Sequence, residues 1–526
     1  MKLQQRLRHL SAALTGRVSR PPVFARYAGG DHSRIVSRWF AALDDPNNEL
    51  RVTLADLRAR SRELVRDNGE ASGLLLDFEA DIVGATGARL QFRARTPRGL
   101  PRAVLNDRVE TAWQLWGRRD SCTATGRLTW PAVQRLFIRS IVQDGEFLAL
   151  REFDPSLPYG YRLAVLDPDQ LDETYSTHTP QANGNTIAMG VELDARGRAV
   201  AYHIWDRHPS LLGRVRQRIP ADRVLHAFKT LRPGQVRGVP WFAPALITWK
   251  LGARYTEAEL YQSMLAAAQG GFFVNKEGGS FDVPTDDNGN PIPLVMEAEP
   301  GAARVLPGGY EFQAWEPKHP TANYAGFMKV VKRTVARAFG RSYASLTGDL
   351  ADVNFSSMRT DRVREIEQNR VHQHDLLVDQ LCAPVFADWV RMAAVTGKLG
   401  VVQLDAETLT TYATWMCKGW PWIDPVKDAT AAKLELDMGA TSPQRICADK
   451  GRDYFEVIDE IAEARAYAAE KGVPLNAVPL ALTVSADAPA DVPLDNSAPP
   501  ATVPGDGAAA PGRTLAIHPL HRMDAA

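Results

Sequence analysis

The sequence predicts an α+β protein in which helical segments flank a mixed middle block, and three observations carry that expectation. Residues 51–83 repeat apolar side chains at helical spacing, among them Leu54, Leu57, Leu64, Leu74, Leu75 and Phe78, with charges between them. Residues 147–205 contain strand-like runs, and Asp194-Ala195-Arg196-Gly197 between the last two has the chemistry of a hairpin turn. The run 244–269 is rich in helix-favouring Glu and Ala; about 26 helical residues would span roughly 39 Å, more than an average globular helix.

Taken in order, residues 1–24 are basic and mildly amphipathic and lack the uninterrupted apolar stretch of a secretion signal, so they read as an N-terminal arm. Asn68-Gly69 divides the 51–83 helix, and Gly84 and Gly87 end its second half before a strand at 90–93. Helices are expected at 108–117, with Trp113 and Trp116 on one face, and at 131–143, with Pro131 in the first turn. Strands are expected at 147–153, 161–166, 189–193 and 199–205. Between 270 and 320 the composition turns to Gly, Pro, Asp and Asn, with a turn signal at Asp287-Asn288-Gly289; this reads as a small inserted subdomain. Helix resumes at 323–338 and Gly340 stops it. A loop follows, with Ser356 and Ser357 as caps of a strongly charged helix to about Cys382, where Pro384 breaks or kinks the path. Two short helices fall within 441–470. Beyond 485, Ala, Pro, Asp and Gly dominate, too poor in apolar surface to offset ordering entropy, so that tail is expected to be disordered.

Composition narrows the function. The 526 residues are 45% hydrophobic and 24% charged, which excludes a fibrous or wholly disordered protein. Lys and Arg number 62, as do Asp and Glu. That balance argues against a protein that wraps nucleic acid with its whole surface and leaves contact that is local, steric or made by one face only. The four cysteines, Cys122, Cys382, Cys417 and Cys447, are scattered without CxxC spacing, so no zinc ribbon or disulfide scaffold is expected and a reducing compartment is the simpler reading. No apolar stretch reaches membrane-spanning length.

The motifs of common enzyme chemistry are missing. There is no GxxxxGK[ST] phosphate loop, no GxSxG elbow and no HExxH pair, so no catalytic residue, cofactor or metal site is assigned. His372 and His374 sit at i, i+2, which turns their rings apart on a helix, and His203 and His208 read as ordinary histidines. The group Trp415, Trp420, Pro421, Trp422, Asp424, Pro425 fits a base-stacking platform with Lys418 and Lys427, but its rigid spacing fits a buried anchor better. Asp424 and Asp428 offer two carboxylates for a metal nuclease, without a third ligand. Lys329, Arg333 and Arg337 recur at i, i+4, i+8 with Lys332 beside them, and Phe327, Val331 and Val335 form an apolar stripe at the same spacing. The basic stripe is either a solvated face or a surface turned toward phosphates or a neighbouring subunit; a ring of such helices would wall a channel that reads phosphates without sequence.

Taken together and in order, several short motifs resemble the lambda family of phage portal proteins over residues 25–470. They begin with Arg60-Ser61-Arg62, Arg66-Asp67-Asn68, Asp81-Ile82-Val83-Gly84 and Gly87. Trp113, Trp116 and Asp120-Ser121-Cys122 follow, then Asp144-Gly145-Glu146, Gly190-Val191-Glu192, Asp194, Gly197 and Ala201-Tyr202-His203. Next come Pro220-Ala221, Val224-Leu225-His226, Arg232-Pro233-Gly234-Gln235 and Arg237-Gly238-Val239-Pro240. Ser342-Tyr343, Leu346-Thr347, Asn354-Phe355-Ser356-Ser357, Arg359 and Trp420-Pro421-Trp422-Ile423-Asp424-Pro425 close the set.

The resemblance implies a portal fold: a mixed α/β wing (25–243), a helical stem (244–269 and 322–339), a small clip between the stem helices (270–321), a tunnel loop (340–356) and wing-to-crown helices (357–484). It implies a homo-oligomeric ring, usually of twelve subunits, at the capsid vertex of the virion after assembly in the host cytoplasm. Double-stranded DNA passes through it, not sequence-specifically, in packaging and ejection. The terminase large subunit docks on it, the major capsid and scaffold proteins surround it, and head-completion or tail connector proteins follow; portals are not enzymes. In that frame Lys329, Lys332, Arg333 and Arg337 are expected to face the DNA channel, and Tyr343, Asp349, Asp352 and Asn354 to belong to the tunnel loop, where the acidic pair would keep DNA from sticking. A DNA enzyme built on Asp424 and Asp428, and a neck adaptor without a channel, are the competing readings.

Overall fold

The computed structural model describes residues 44–473, less 97, 99–101, 178, 268–270, 276–287, 289–309, 315–323, 352, 401–404 and 422–423. The expected N-terminal arm, most of the inserted subdomain and the expected disordered tail lie outside the described residues. The chain divides into two units, Met1–Ile458 and Asp459–Ala526; all that follows concerns the first, except the end of the last helix.

The first unit opens with α1 (Pro46–Arg51), α2 (Leu54–Asp67) and α3 (Gly69–Phe78). Asn68 has extended backbone and its side chain accepts the Ala71 N–H, which is why Asn-Gly separates two helices here. A π-helical turn, Glu79–Val83, extends α3 to Gly84, where φ of 71° ends it. Then come β1 (Arg89–Phe92), α4 (Ala103–Trp116) and α5 (Trp130–Asp144). Seven strands follow: β2 (Glu146–Phe153), β3 (Tyr161–Leu166), β4 (Thr186–Ala188), β5 (Val191–Leu193), β6 (Ala199–Trp205), β7 (Arg216–Pro220) and β8 (Val224–Phe228). The long helix α6 (Leu246–Ala267) has 22 residues, about 33 Å of length. After β9 (Gly271–Asn275) and β10 (Tyr310–Ala314) come α7 (Tyr324–Ala338), α8 (Tyr343–Thr347), α9 (Phe355–His372), α10 (Ala383–Val395), α11 (Ala406–Thr411), β11 (Ala413–Met416), α12 (Pro425–Asp437), α13 (Pro443–Asp449) and α14 (Tyr454–Glu470).

The strands form two main antiparallel sheets, ordered β3-β2-β8 and β4-β5-β6-β7, and two pairs, β1-β11 and β9-β10. Two apolar cores hold them. The larger is aromatic: Trp113 packs on Trp116 at 4.6 Å, Trp389 at 5.1 Å, Phe386 at 5.5 Å and Trp415 at 5.8 Å between ring centres, so α4, α10 and β11 meet at one residue. The smaller gathers Leu148, Val191, Tyr202, Ile204 and Val224 from both sheets with Leu54 from α2.

A charged knot sits beside the smaller core. Glu146 is fully buried at the start of β2. It accepts bonds from the equally buried Arg237, from the Gly238 N–H at 3.0 Å and from His226 at 3.0 Å, with Arg58 at 3.7 Å. Burial alone would raise its carboxyl, but Arg237 and His226 hold it well below the usual carboxylate range. The backbones meet as closely as glycine permits: a Cβ on Gly238 would fall 2.0 Å from the Gly145 carbonyl oxygen. The Asp-Gly-Glu and Arg-Gly-Val-Pro motifs are thus two halves of one contact.

Several expectations need correction. The strand expected at 189–193 is broken, because Met189 (φ 47°) and Gly190 (φ 83°) make the two-residue turn between β4 and β5. Ser356 and Ser357 are not the caps of α9; Asn354 is, accepting the Ser357 N–H at 2.8 Å. The helical path does not break at Pro384. It continues through a π-helical stretch, Gln373–Cys382, whose backbone bonds run on to the Ala383 N–H, which donates to the Val378 carbonyl, so the chain stays helical into α10, where Pro384 is the second residue. The helix expected at 108–117 begins earlier, at Ala103. Strand β7, Arg-Gln-Arg-Ile-Pro, lacked an apolar alternation because it is an exposed edge.

At the end of α9, the His372 ring lies 4.7 Å from Trp241, whose indole also carries Lys229 at 4.9 Å. Burial first, then Lys229 and Arg341, push His372 down to about 4. Its ordinary value is 6.5, so as pH falls the unfolded chain takes up the proton first. His372 therefore leaves stability intact above pH 6.5 and withdraws it between 6.5 and 4, by about 3 kcal/mol at most. We expect His372→Gln to flatten the pH dependence of the unfolding midpoint over that window. Glu146→Gln leaves Arg237 buried without its countercharge, and denaturant titration should show a loss of about 3–5 kcal/mol.

Candidate channel surface

Helix α7 is amphipathic, and its packing decides which residues are left facing outward. Met328 and Val335 are buried and Val331 lies against Gly252 of α6, where a Cβ would stand 3.2 Å from the valine. The expected apolar stripe is displaced by part of a turn: Met328 takes the inward place, while Phe327 is 53% exposed and touches the Tyr255 ring at 5.4 Å. Lys332 leaves the basic stripe altogether and pairs with Glu70 of α3. Lys329 and Arg333 instead lean over the Tyr343 ring, at 5.5 and 5.9 Å from its centre. The Tyr343 hydroxyl donates to Asp349 at 3.2 Å. These four side chains line a groove of about 500 Å³ together with Ser342, Asp361 and Arg362. Arg337 is exposed, Asn354 is occupied as the α9 cap, and Asp352 lies outside the described residues.

Beside this groove is a second charged knot, which ties it to the π-helical turn after α3 and to α9. Arg341 donates to Asp81 at 3.0 Å and to Asn369 at 3.1 Å, and Arg362 reaches Asp81 at 3.0 Å. Glu365 accepts the Ser342 N–H at 2.9 Å and the Ser345 hydroxyl at 2.8 Å. Burial would raise Asp81, but Arg362, Arg341 and Lys418 overcome it and hold its carboxyl below the ordinary value. Asp81 stood among the sequence motifs, whereas Arg341, Glu365 and Asn369 did not. Their signal was the i, i+4 spacing of Glu365 and Asn369 on a helix otherwise charged all round.

The other candidates serve the fold. Trp415 belongs to the aromatic core, and Trp420 is buried under Arg370 and Lys418, at 5.8 and 5.9 Å from its ring. Trp422 lies outside the described residues. Asp424 caps α12 by accepting the Lys427 N–H, and Asp428 accepts the Asp424 N–H and an Arg359 bond at 2.7 Å. Asp167, Asp169 and His208 lie close enough to share an ion, but Arg62 holds both carboxylates and Arg58 holds Asp169 as well. His372 is packed on Trp241 while His374 is exposed, so the two rings do turn apart.

A family model for the phage portal protein, lambda family, matches residues 32–373. The chain belongs to that family. The probable portal protein of Halomonas phage phiHAP-1 is 30% identical over 417 residues, covering 77% of this chain and 79% of its own. Portal protein B of Escherichia phage lambda is 21% identical over 451 residues, covering 78% and 84%. Among solved structures, the neck of an empty gene transfer agent particle computed with C6 symmetry aligns at 16% identity over 80% of this chain and 99% of its own, with a TM-score of 0.41. Family membership makes the chain a structural component of the virion rather than an enzyme.

For this family member, Asp81→Asn should leave Arg341 and Arg362 without their main countercharge. The expected result is a stability loss of about 3–5 kcal/mol and faster cleavage by added protease within 341–354, read by mass spectrometry of the fragments.

Proposed function

We propose that copies of this chain, about twelve as is usual in the family, close into a ring at one capsid vertex, and that double-stranded DNA passes through the ring during packaging and ejection. In this reading α6 and α7 form the stem, the segment carrying β9 and β10 the clip, and residues 340–356 the tunnel loop. The wing is the sheet-bearing part up to 243, and the helices beyond 357 lead to the crown. The ring assembles in the host cytoplasm with the major capsid and scaffold proteins. It docks the terminase large subunit while the head fills and later the head-completion or tail connector proteins.

The convergence of Lys329, Arg333, Tyr343 and Asp349 on one groove carries this reading. A conduit for DNA needs enough positive charge to relieve the mutual repulsion of confined phosphates, but not so much that the duplex binds. Two cations over an aromatic ring, with a carboxylate at its hydroxyl, supply charge that is partly offset where it stands. The buried knot of Asp81, Arg341 and Glu365 keeps that group from yielding as DNA moves past. A balanced overall charge suits the same task.

The test is Lys329→Glu with Arg333→Glu in the complete phage. Filled heads should fall at least tenfold while empty heads with a ring persist; a normal yield of filled heads removes the basic pair from the mechanism.

A further inference from the structure

The stretch between α9 and α10 gathers metal-ligating side chains that the channel reading leaves unused. His374, Asp375 and Asp379 each bring a ligand atom within 4.8 Å of the others. The His374 Nδ1 stands 3.6 Å from an oxygen of Asp375 and 3.6 Å from an oxygen of Asp379. Ligand atoms about 2.0–2.2 Å from a tetrahedral zinc ion lie about 3.3–3.6 Å apart, so these separations already suit one ion. The helical register is what assembles the three. In an α-helix, at about 100° per residue, position 379 would lie about 140° round from 374. Here Gln373–Cys382 is π-helical, and the wider turn brings residues five apart onto one face.

We infer that His374, Asp375 and Asp379 bind a divalent transition-metal ion of the zinc type, and that the ion braces the π-helical joint between α9 and α10. An imidazole nitrogen beside two carboxylates is a borderline donor set, which favours zinc over cations that prefer oxygen alone. Three protein ligands leave the fourth position to water. Charge separates this cluster from the other triad, Asp167, Asp169 and His208, where Arg62 and Arg58 already neutralise the carboxylates. Among the described residues, no lysine or arginine pairs with Asp375 or Asp379, and all three side chains are exposed and open to an ion. Asp375 and Asp379 are like charges at i, i+4, which costs stability while nothing stands between them. An ion shared with His374 removes that repulsion and ties 374 to 379 across one wide turn. Because an α-helical register would part those two residues, the metal stabilises the π-helical form.

Titration of the metal-free full chain with zinc ion, followed by calorimetry, tests the site. One ion per subunit should bind at micromolar concentration, and magnesium at the same concentration should not compete. His374→Ala and Asp379→Asn should each weaken binding at least about tenfold, and His208→Ala should leave it unchanged. Absence of binding overturns the site. Binding that survives either of the first two variants, or that is lost in His208→Ala, shows an adventitious ion only and overturns it as well.

Hydrogen exchange reads the brace separately. With zinc ion, the amides of Gln373–Cys382 should exchange at least about twofold more slowly in the wild-type chain and at an unchanged rate in His374→Ala. Bound zinc that leaves exchange over this stretch unaltered overturns the brace. Neither measurement needs a ring, so failure here leaves the channel reading in place.

Discussion

A carboxylate removed from water must be answered where it stands, and much of this chain is arranged around that requirement at Glu146. Its partners come from three places: His226 on β8, Arg237 with the Gly238 N–H on the segment leading into α6, and Arg58 on α2. Arg237 also donates to the Met189 carbonyl at 2.9 Å, at a residue held in a left-handed turn. One ionic contact thus joins both sheets, the first helices and the root of the long helix. Its removal would leave an uncompensated charge rather than a mere gap, which makes it more demanding than any single apolar contact nearby.

Asp81 plays the equivalent part for the candidate channel surface. It lies on the π-helical extension of α3 and collects Arg341, Arg362 and Asn369 from either side of the 340–354 loop. The loop carrying Tyr343 is consequently tied at its base to the turn that follows α3. Lys329 and Arg333 have a firm surface to lean on, and Lys332 is diverted to Glu70 so that α7 is clamped to α3. The division of labour among neighbouring cations follows from which carboxylates lie within reach, not from their spacing along the helix.

Local pattern revealed most helices and several strands, because apolar periodicity and caps are local properties. Asn68 before Gly69 and Pro131 in a first turn are visible in a few residues. What remained hidden was of two kinds. Strands β7 and β11 are short and carry little alternation, since one is an exposed edge and the other, among the described residues, pairs with β1 alone. The contact between Glu146 and Arg237 spans 91 residues, so its motifs announced a family without disclosing that they touch. The basic stripe was legible as spacing, but only packing shows that Lys329 and Arg333 share an aromatic partner while Lys332 does not.

The arginines of β7 acquire meaning when many copies crowd together. Among the described residues this strand ends its sheet without a neighbour on one side, and a bare backbone edge invites a strand from another molecule. Arg216 is tied to Asp172 and lies over Tyr175, and Arg218 is tied to Glu192, so long cationic side chains are anchored along that border. Such a fringe repels its own likeness. Charged side chains along an exposed edge disfavour its pairing with a strand of another molecule.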